Sequence, residues 1–139
     1  MSWIYVQLSG KLLNPVGNLV GIGYSGGECG ARPDAVNNPS DENLEGIGPL
    51  PAGNYVADWQ VAVHPELGNF VIHLQPDAAT SAKISGYGRA PESFFMHGDS
   101  VALAGQKSAS DGCIVMSLDV RQDFWASSDH SLLVVPGQA

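Results

Sequence analysis

Short alternating apolar runs, cut by glycine, proline and asparagine, restrict this chain more than any other feature. "WIYVQL" from Trp3 alternates inward and outward positions, and "NLVGIGYSG" from Asn18 follows the turn-forming "NPVG"; together they read as an N-terminal hairpin. "NYVADWQVAV", "NFVIHLQP", "SFFMHG" and "SLLVVP" are further runs of strand length. One stretch carries helical spacing instead. In "SLDVRQDFWASS", Ser117 to Ser128, the residues Leu118, Arg121, Phe124 and Trp125 recur at three- and four-residue intervals behind an N-capping Ser117 and an acidic first turn at Asp119. A helix this short must be held by packing on the sheet. The expectation is a mainly β, compact domain with one short helix after Cys113.

At 139 residues the chain has the length of a single domain, residues 1–139, with enough core to need neither metal nor disulfide support. Its 44% hydrophobic content argues against a disordered chain. A formal charge of −8, with only Lys11, Lys83, Lys107, Arg32, Arg89 and Arg121 as cations, leaves no basic stripe. Nucleic acid and anionic membrane are therefore excluded as partners. No window reaches the length of a membrane span, and "MSWIYVQLSGKLL" has neither the basic start nor the apolar centre of a signal peptide. The expectation is a chain made in the cytoplasm without a signal peptide and without membrane insertion.

Cys29 and Cys113 have no metal-ligand spacing, and one pair is a poor disulfide framework, so both read as reduced thiols. His64, His73 and His130 have no acid or thiol at ligand spacing and read as solvated or core histidines; no metal and no cofactor is expected. Between the first runs and "NYVADW" lies a long segment rich in Gly, Pro, Asn and acids, beginning at Gly26. A loop of that length is usually functional or partly disordered, and it could act as a lid or a recognition surface.

Chemistry concentrates in "MHGDS", Met96 to Ser100, and "SASDGCIVM", Ser108 to Met116. A thiolate is a strong nucleophile, and a nearby imidazole can take its proton and later return it to a leaving amine. His97 ends an apolar run and precedes Gly98, where a strand opens into a loop. Gly112 before Cys113 lets substrate backbone approach closely and lets amides point at a developing oxyanion. The same residues also fit a half-buried histidine bonded to a carbonyl and a small buried thiol.

These elements, His97-Gly98-Asp99 and Ser110-Asp111-Gly112-Cys113-Ile114, resemble the L,D-transpeptidase catalytic-domain family, and more closely its small branch that includes type VI secretion effectors. The resemblance continues through "GPLPAGNY", Gly48 to Tyr55, through "NNP", Asn37 to Pro39, and through the opening Trp3, Tyr5, Gly10, Leu12, Gly21, Gly23, Tyr24, Ser25 and Gly26. It runs in order over nearly the whole chain and implies a β-sandwich-like catalytic domain. It departs at Asp111, where many members carry histidine. An acid there raises the thiol pKa if its carboxylate points inward; the family role at this position resembles a backbone carbonyl that orients the catalytic histidine.

The resemblance implies acyl transfer on the tetrapeptide stems of peptidoglycan. Cys113 attacks the carbonyl of the third stem residue, His97 protonates the departing D-alanine, and an amine or water resolves the thioacyl-enzyme. Amides at Gly112 and Cys113 are the candidate oxyanion hole, and Ser110 positions the loop. Arg89 and Arg121 are candidate grips for substrate carboxylates, with Tyr24 on the substrate side and Asp99 setting the His97 turn. No D-amino acid, second stem or water is singled out as acceptor. The effector branch implies delivery by a secretion apparatus into the periplasm of a target bacterium and a cognate immunity protein as partner. A catalytically inactive wall- or partner-binding module and a phage-borne wall lysin are the alternatives. A functional Cys113 is expected to be labelled by thiol reagents in preference to Cys29.

Overall fold

In a computed structural model, which describes residues 2–100 and 107–137, nine strands join into one mixed sheet. They are β1 (Trp3–Val6), β2 (Lys11–Leu13), β3 (Leu19–Ile22), β4 (Tyr24–Ser25), β5 (Gly53–His64), β6 (Gly68–Pro76), β7 (Phe95–His97), β8 (Ile114–Val115) and β9 (Ser131–Val135). Their order is β3-β2-β1-β9-β5-β6-β7-β8-β4, with the β1/β9 and β7/β8 pairs parallel and the others antiparallel. The mainly β expectation holds. The hairpin differs: "NPVG" joins β2 to β3, with Asn14 Oδ1 accepting the Val16 and Asn18 amides, while β1 lies between β2 and β9.

One residue shows how the sheet curls. β3 and β4 occupy opposite ends of the strand order, yet only Gly23 separates them in the chain. Its amide donates to Gly10 O at 2.8 Å, and a Cβ on it would sit 1.9 Å from Val115 O. The two edges therefore meet across a glycine, because any side chain there would strike β8. Curling gathers Tyr5, Leu12, Tyr55, Ile72, Leu74, Met96, Ile114 and Leu132 into one core. Each such large side chain contributes about 1.5–3 kcal/mol on burial.

Two helices pack on this sheet, where one was expected. α2 (Leu118–Ala126) is the expected one, and it buries Val120 and Phe124 in the core. Ser117 stands at its N-cap, but its hydroxyl donates to Asp119 Oδ1 at 2.6 Å and makes no backbone cap. The additional helix is α1 (Ala78–Gly86), "AATSAKISG". Its Thr, Ser and Gly content and lack of an apolar stripe hide it from periodicity. It forms because Asp77 Oδ1 caps the Thr80 amide at 2.9 Å, Thr80 Oγ1 accepts the Asn54 amide of β5 at 3.0 Å, and Ile84 enters the core.

The long segment after Gly26 is ordered by short 3-10 turns at Glu28–Gly30, Pro33–Ala35 and Pro39–Asp41 and by polar anchors. Glu42 is the principal anchor. Its carboxylate accepts from Gln7 Nε2, the Ala52 amide and Tyr87 OH, and pairs with Lys83 at 3.1 Å. Those donors together hold its carboxyl below the usual range against the opposing cost of burial. Among the described residues no helix is long and apolar enough to cross a membrane.

Candidate active site

Strand alternation decides which side chains meet. Met96 of β7 and Ile114 of β8 are Cα partners, and both lie in the core. Successive side chains of a strand point to opposite faces. His97, partnered by Val115, therefore faces away from the core, and Cys113, one residue before β8, shares that face. The parallel β7/β8 pair thus brings the two sequence candidates into diagonal proximity on one surface. No hydrogen bond joins them. The Cys113 thiol points at Ser93 O, 3.9 Å away.

His97 is buried, 3% exposed, and its Nδ1 bonds Gly98 O at 2.8 Å. Donation to a carbonyl requires the proton on Nδ1 and leaves Nε2 as the acceptor. This corrects the family-derived expectation for position 111: the carbonyl that orients the imidazole is that of Gly98, whereas Asp111 O accepts from Arg89 Nη2 at 3.2 Å. Burial, helped by the Arg121 charge, pushes the imidazole pKa down against the pull of the Gly98 carbonyl, which favours the neutral base.

Burial pushes the Cys113 thiol up to about 12; the Phe95 amide draws it back, and the Asp111 charge adds to the rise. Asp111 therefore acts in the expected direction, although its side chain is exposed. Burial thus moves both groups toward their neutral forms, since desolvation disfavours a thiolate–imidazolium pair. Cys29 is exposed and Cys113 is 6% exposed; both are free thiols. By exposure Cys29 is the more accessible thiol, opposite to the labelling order expected of a functional Cys113.

The turn carrying Cys113 is built by two serines. Ser110 Oγ donates to Cys113 O at 2.6 Å and accepts the Gly112 and Gly26 amides. Ser25 Oγ donates to Gly112 O and accepts the Leu50 amide. Ser110 thus fixes the backbone of the turn on both sides of Gly112. The Gly112 amide is already bonded to that hydroxyl, which removes it from the oxyanion-hole candidates. Gly112 is required for another reason: its φ is +152°, and a Cβ would lie 2.4 Å from Arg89 Nη2.

Both arginines, the expected carboxylate grips, are tied to backbone carbonyls. Arg89 is 6% exposed, with Nη1 donating to Glu42 O and Pro49 O and Nη2 to Gly48 O and Asp111 O. It ties the long segment to the turn that carries Cys113. Arg121, 5% exposed, donates to Phe70 O, Asn69 O and Met116 O, which fastens α2 to β6. Of the five N–H donors of a guanidinium, these carbonyls occupy four of Arg89 and three of Arg121. Tyr24 OH donates to Asp99 Oδ1 at 2.6 Å and accepts the Ala109 amide at 3.0 Å, so it clasps both margins of the spacer between His97 and Cys113. Asp99 Oδ1 also accepts the Ser100 amide, in keeping with a turn-setting role.

Two hollows are lined by chain neighbours of the pair, and neither by His97 or Cys113 themselves. One, of about 170 Å³, lies between Glu45, Arg89, Ser93, Phe94 and Asp111 on the Cys113 side. The other, of about 340 Å³, is bordered by Tyr24, Asp99, Val115 and Arg121 on the His97 side. Sequence reasoning missed Ser25, Glu42 and the bond between His73 Nδ1 and Asp58 Oδ1 at 2.7 Å. Ser25 was legible inside "GYSGG"; Glu42 sat among acids that carried no individual signal. Among the described residues no group of three or more His, Cys, Asp or Glu side chains converges as a metal site would require. No protein-family model, no curated protein and no solved structure matches this chain.

Proposed function

We propose that the chain is a cysteine acyltransferase of the L,D-transpeptidase type, acting on the tetrapeptide stems of peptidoglycan, and that it serves as an antibacterial effector. The observation that carries this reading is the shared outward face of Cys113 and His97, with Nε2 left as the proton acceptor by the Nδ1 bond to Gly98 O. A β-sandwich-like catalytic fold is part of the same reading, supported by the curled mixed sheet.

In this mechanism substrate entry closes the thiol on the imidazole, a contact that often tightens only when the site is occupied. Sγ bonds to the carbonyl carbon of the third stem residue as its proton passes to His97 Nε2. The tetrahedral oxyanion takes the Cys113 amide as its candidate donor. Collapse breaks the peptide bond to D-alanine, whose nitrogen receives the proton from His97. A free D-amino acid, a second stem or water then donates a proton to His97 and attacks the thioester, regenerating the thiol. The products are an exchanged stem, a 3-3 crosslink or a tripeptide.

One observation favours a second reading, a wall-stem or partner-binding module: the thiol is buried, unbonded to His97 and pushed up to about 12. Incubation of wild type and Cys113→Ala with tetrapeptide muropeptides, with and without a D-amino acid, separates the two by mass. The enzyme reading expects wild-type-specific loss or exchange of the terminal D-alanine; its absence, with binding retained, supports the module. Periplasmically directed protein is expected to lyse or swell cells and cytoplasmic protein to spare them. Equal toxicity from both compartments would sink the effector reading, with its secretion apparatus and immunity partner.

A further inference from the structure

An exposed tryptophan stands in strand register with the nucleophile. Trp59 of β5 is partnered by His73 of β6, and His73 by Phe95 of β7. Cys113 continues that row by one step from the Met96–Ile114 pair. Ring contacts confirm that these residues share a face: Trp59 stacks on His73 at 5.0 Å and 4° between planes, and Phe95 meets both edge-on. His73 is a fixed support. Its Nδ1 is bonded to Asp58 Oδ1 and its Nε2 to Glu92 O, and it is 5% exposed. Trp59 remains 42% exposed above it.

We infer that Trp59 is a stacking platform for the sugar ring that carries the peptide stem, with Asp58 as a hydroxyl acceptor at its edge. The inference rests on the proposed stem-directed chemistry and extends it to the glycan. Distance supports it. Three strand spacings of about 4.8 Å put Trp59 about 14 Å from Cys113. A stem engaged at its third residue extends about 10–11 Å, and the lactyl bridge adds about 3–4 Å. The sugar therefore falls at the tryptophan. The chemistry agrees as well: a sugar ring offers a flat array of C–H groups to an aromatic face and hydroxyls to a neighbouring carboxylate. The Asp58 side chain is 36% exposed, and its Oδ2 takes no part in the bond to His73.

The test compares disaccharide-tetrapeptide with free tetrapeptide on wild type, Trp59→Ala and Trp59→Phe. Wild type is expected to favour the disaccharide form by roughly three- to tenfold in kcat/KM. That ratio falls to about one in Trp59→Ala and is partly retained in Trp59→Phe. Being a ratio, it is independent of the fraction of variant that folds. A wild-type ratio near one, or an unchanged ratio in Trp59→Ala, overturns the platform. Calorimetry with the same two ligands on the same proteins separates this inference from the catalytic one. If wild type turns over neither ligand, disaccharide-dependent binding that is lost in Trp59→Ala upholds the platform while the enzyme reading falls. Equal binding of both ligands overturns the platform whatever the turnover.

Discussion

The two faces of the β7/β8 pair differ by a single step along each strand and by everything in their chemistry. Met96 and Ile114 point into a closed apolar core, whereas His97 and Cys113 point to a face sealed by loops, serine hydroxyls and arginine-bound carbonyls. One face is held by packing, and its side chains are exchangeable within volume limits. The other is held by directional bonds that fix single atoms. A residue's distance from the core centre therefore says little about its role here; its parity along the strand says more.

The widest separation between the faces comes from paired substitutions. Cys113→Ala is expected to abolish D-alanine release, read by mass, with little change in melting temperature. Met96→Ala is expected to cost about 2–5 kcal/mol of stability in denaturant unfolding, while the molecules that stay folded keep their activity. A reversed pattern would break the comparison. His97→Ala should lower kcat by about 10²–10⁴-fold, which separates general-base work from a structural role.

Arg89→Met tests whether the outer face rests on its scaffold. It leaves buried carbonyls without donors, at about 1–3 kcal/mol for each one that finds no other partner. Stability should fall, and KM for stems with and without a terminal carboxylate should change alike. A selective loss for the carboxylate form would restore the grip that the geometry argues against.

The pH profile sharpens the chemical side of the contrast. Protonated His97 cannot accept the thiol proton, and its depressed pKa delays protonation as pH falls, so turnover should hold to a pH below the ordinary imidazole value. Because the thiol, pushed up to about 12, need not ionise before attack, the rate should stay level through neutral and mildly alkaline pH. A narrow bell centred near neutrality would point instead to a preformed ion pair. The smallest effect is expected from Tyr24→Phe, which removes the hydroxyl clasp on Asp99 and Ala109. It should cost about 1 kcal/mol of stability and a few-fold in kcat.

Much of the strand framework could be read directly. The β5, β6, β7 and β9 runs were legible because alternation and turn residues are local signals. α1 was not, since its residues are poor helix formers and it depends on Asp77, Thr80 and Ile84 finding partners elsewhere in the fold. His97 and Cys113 stood out by chemical type, yet the roles given to Arg89 and Arg121 changed because a charge in a sequence does not reveal whether its donors are already taken. Ser25 and Glu42 act through bonds to distant backbone, which no local pattern encodes.

The sequence by itself determined a mainly β chain and set apart one histidine and one cysteine by chemical type, because periodicity and residue chemistry are properties of short segments. Tertiary structure alone decided that Gly23 joins the two sheet edges, that both arginines brace carbonyls, and that Trp59 falls in line with Cys113. These depend on strand order and register between residues far apart in the chain. A one-residue shift of that register would turn His97 into the core and bring Met96 out in its place.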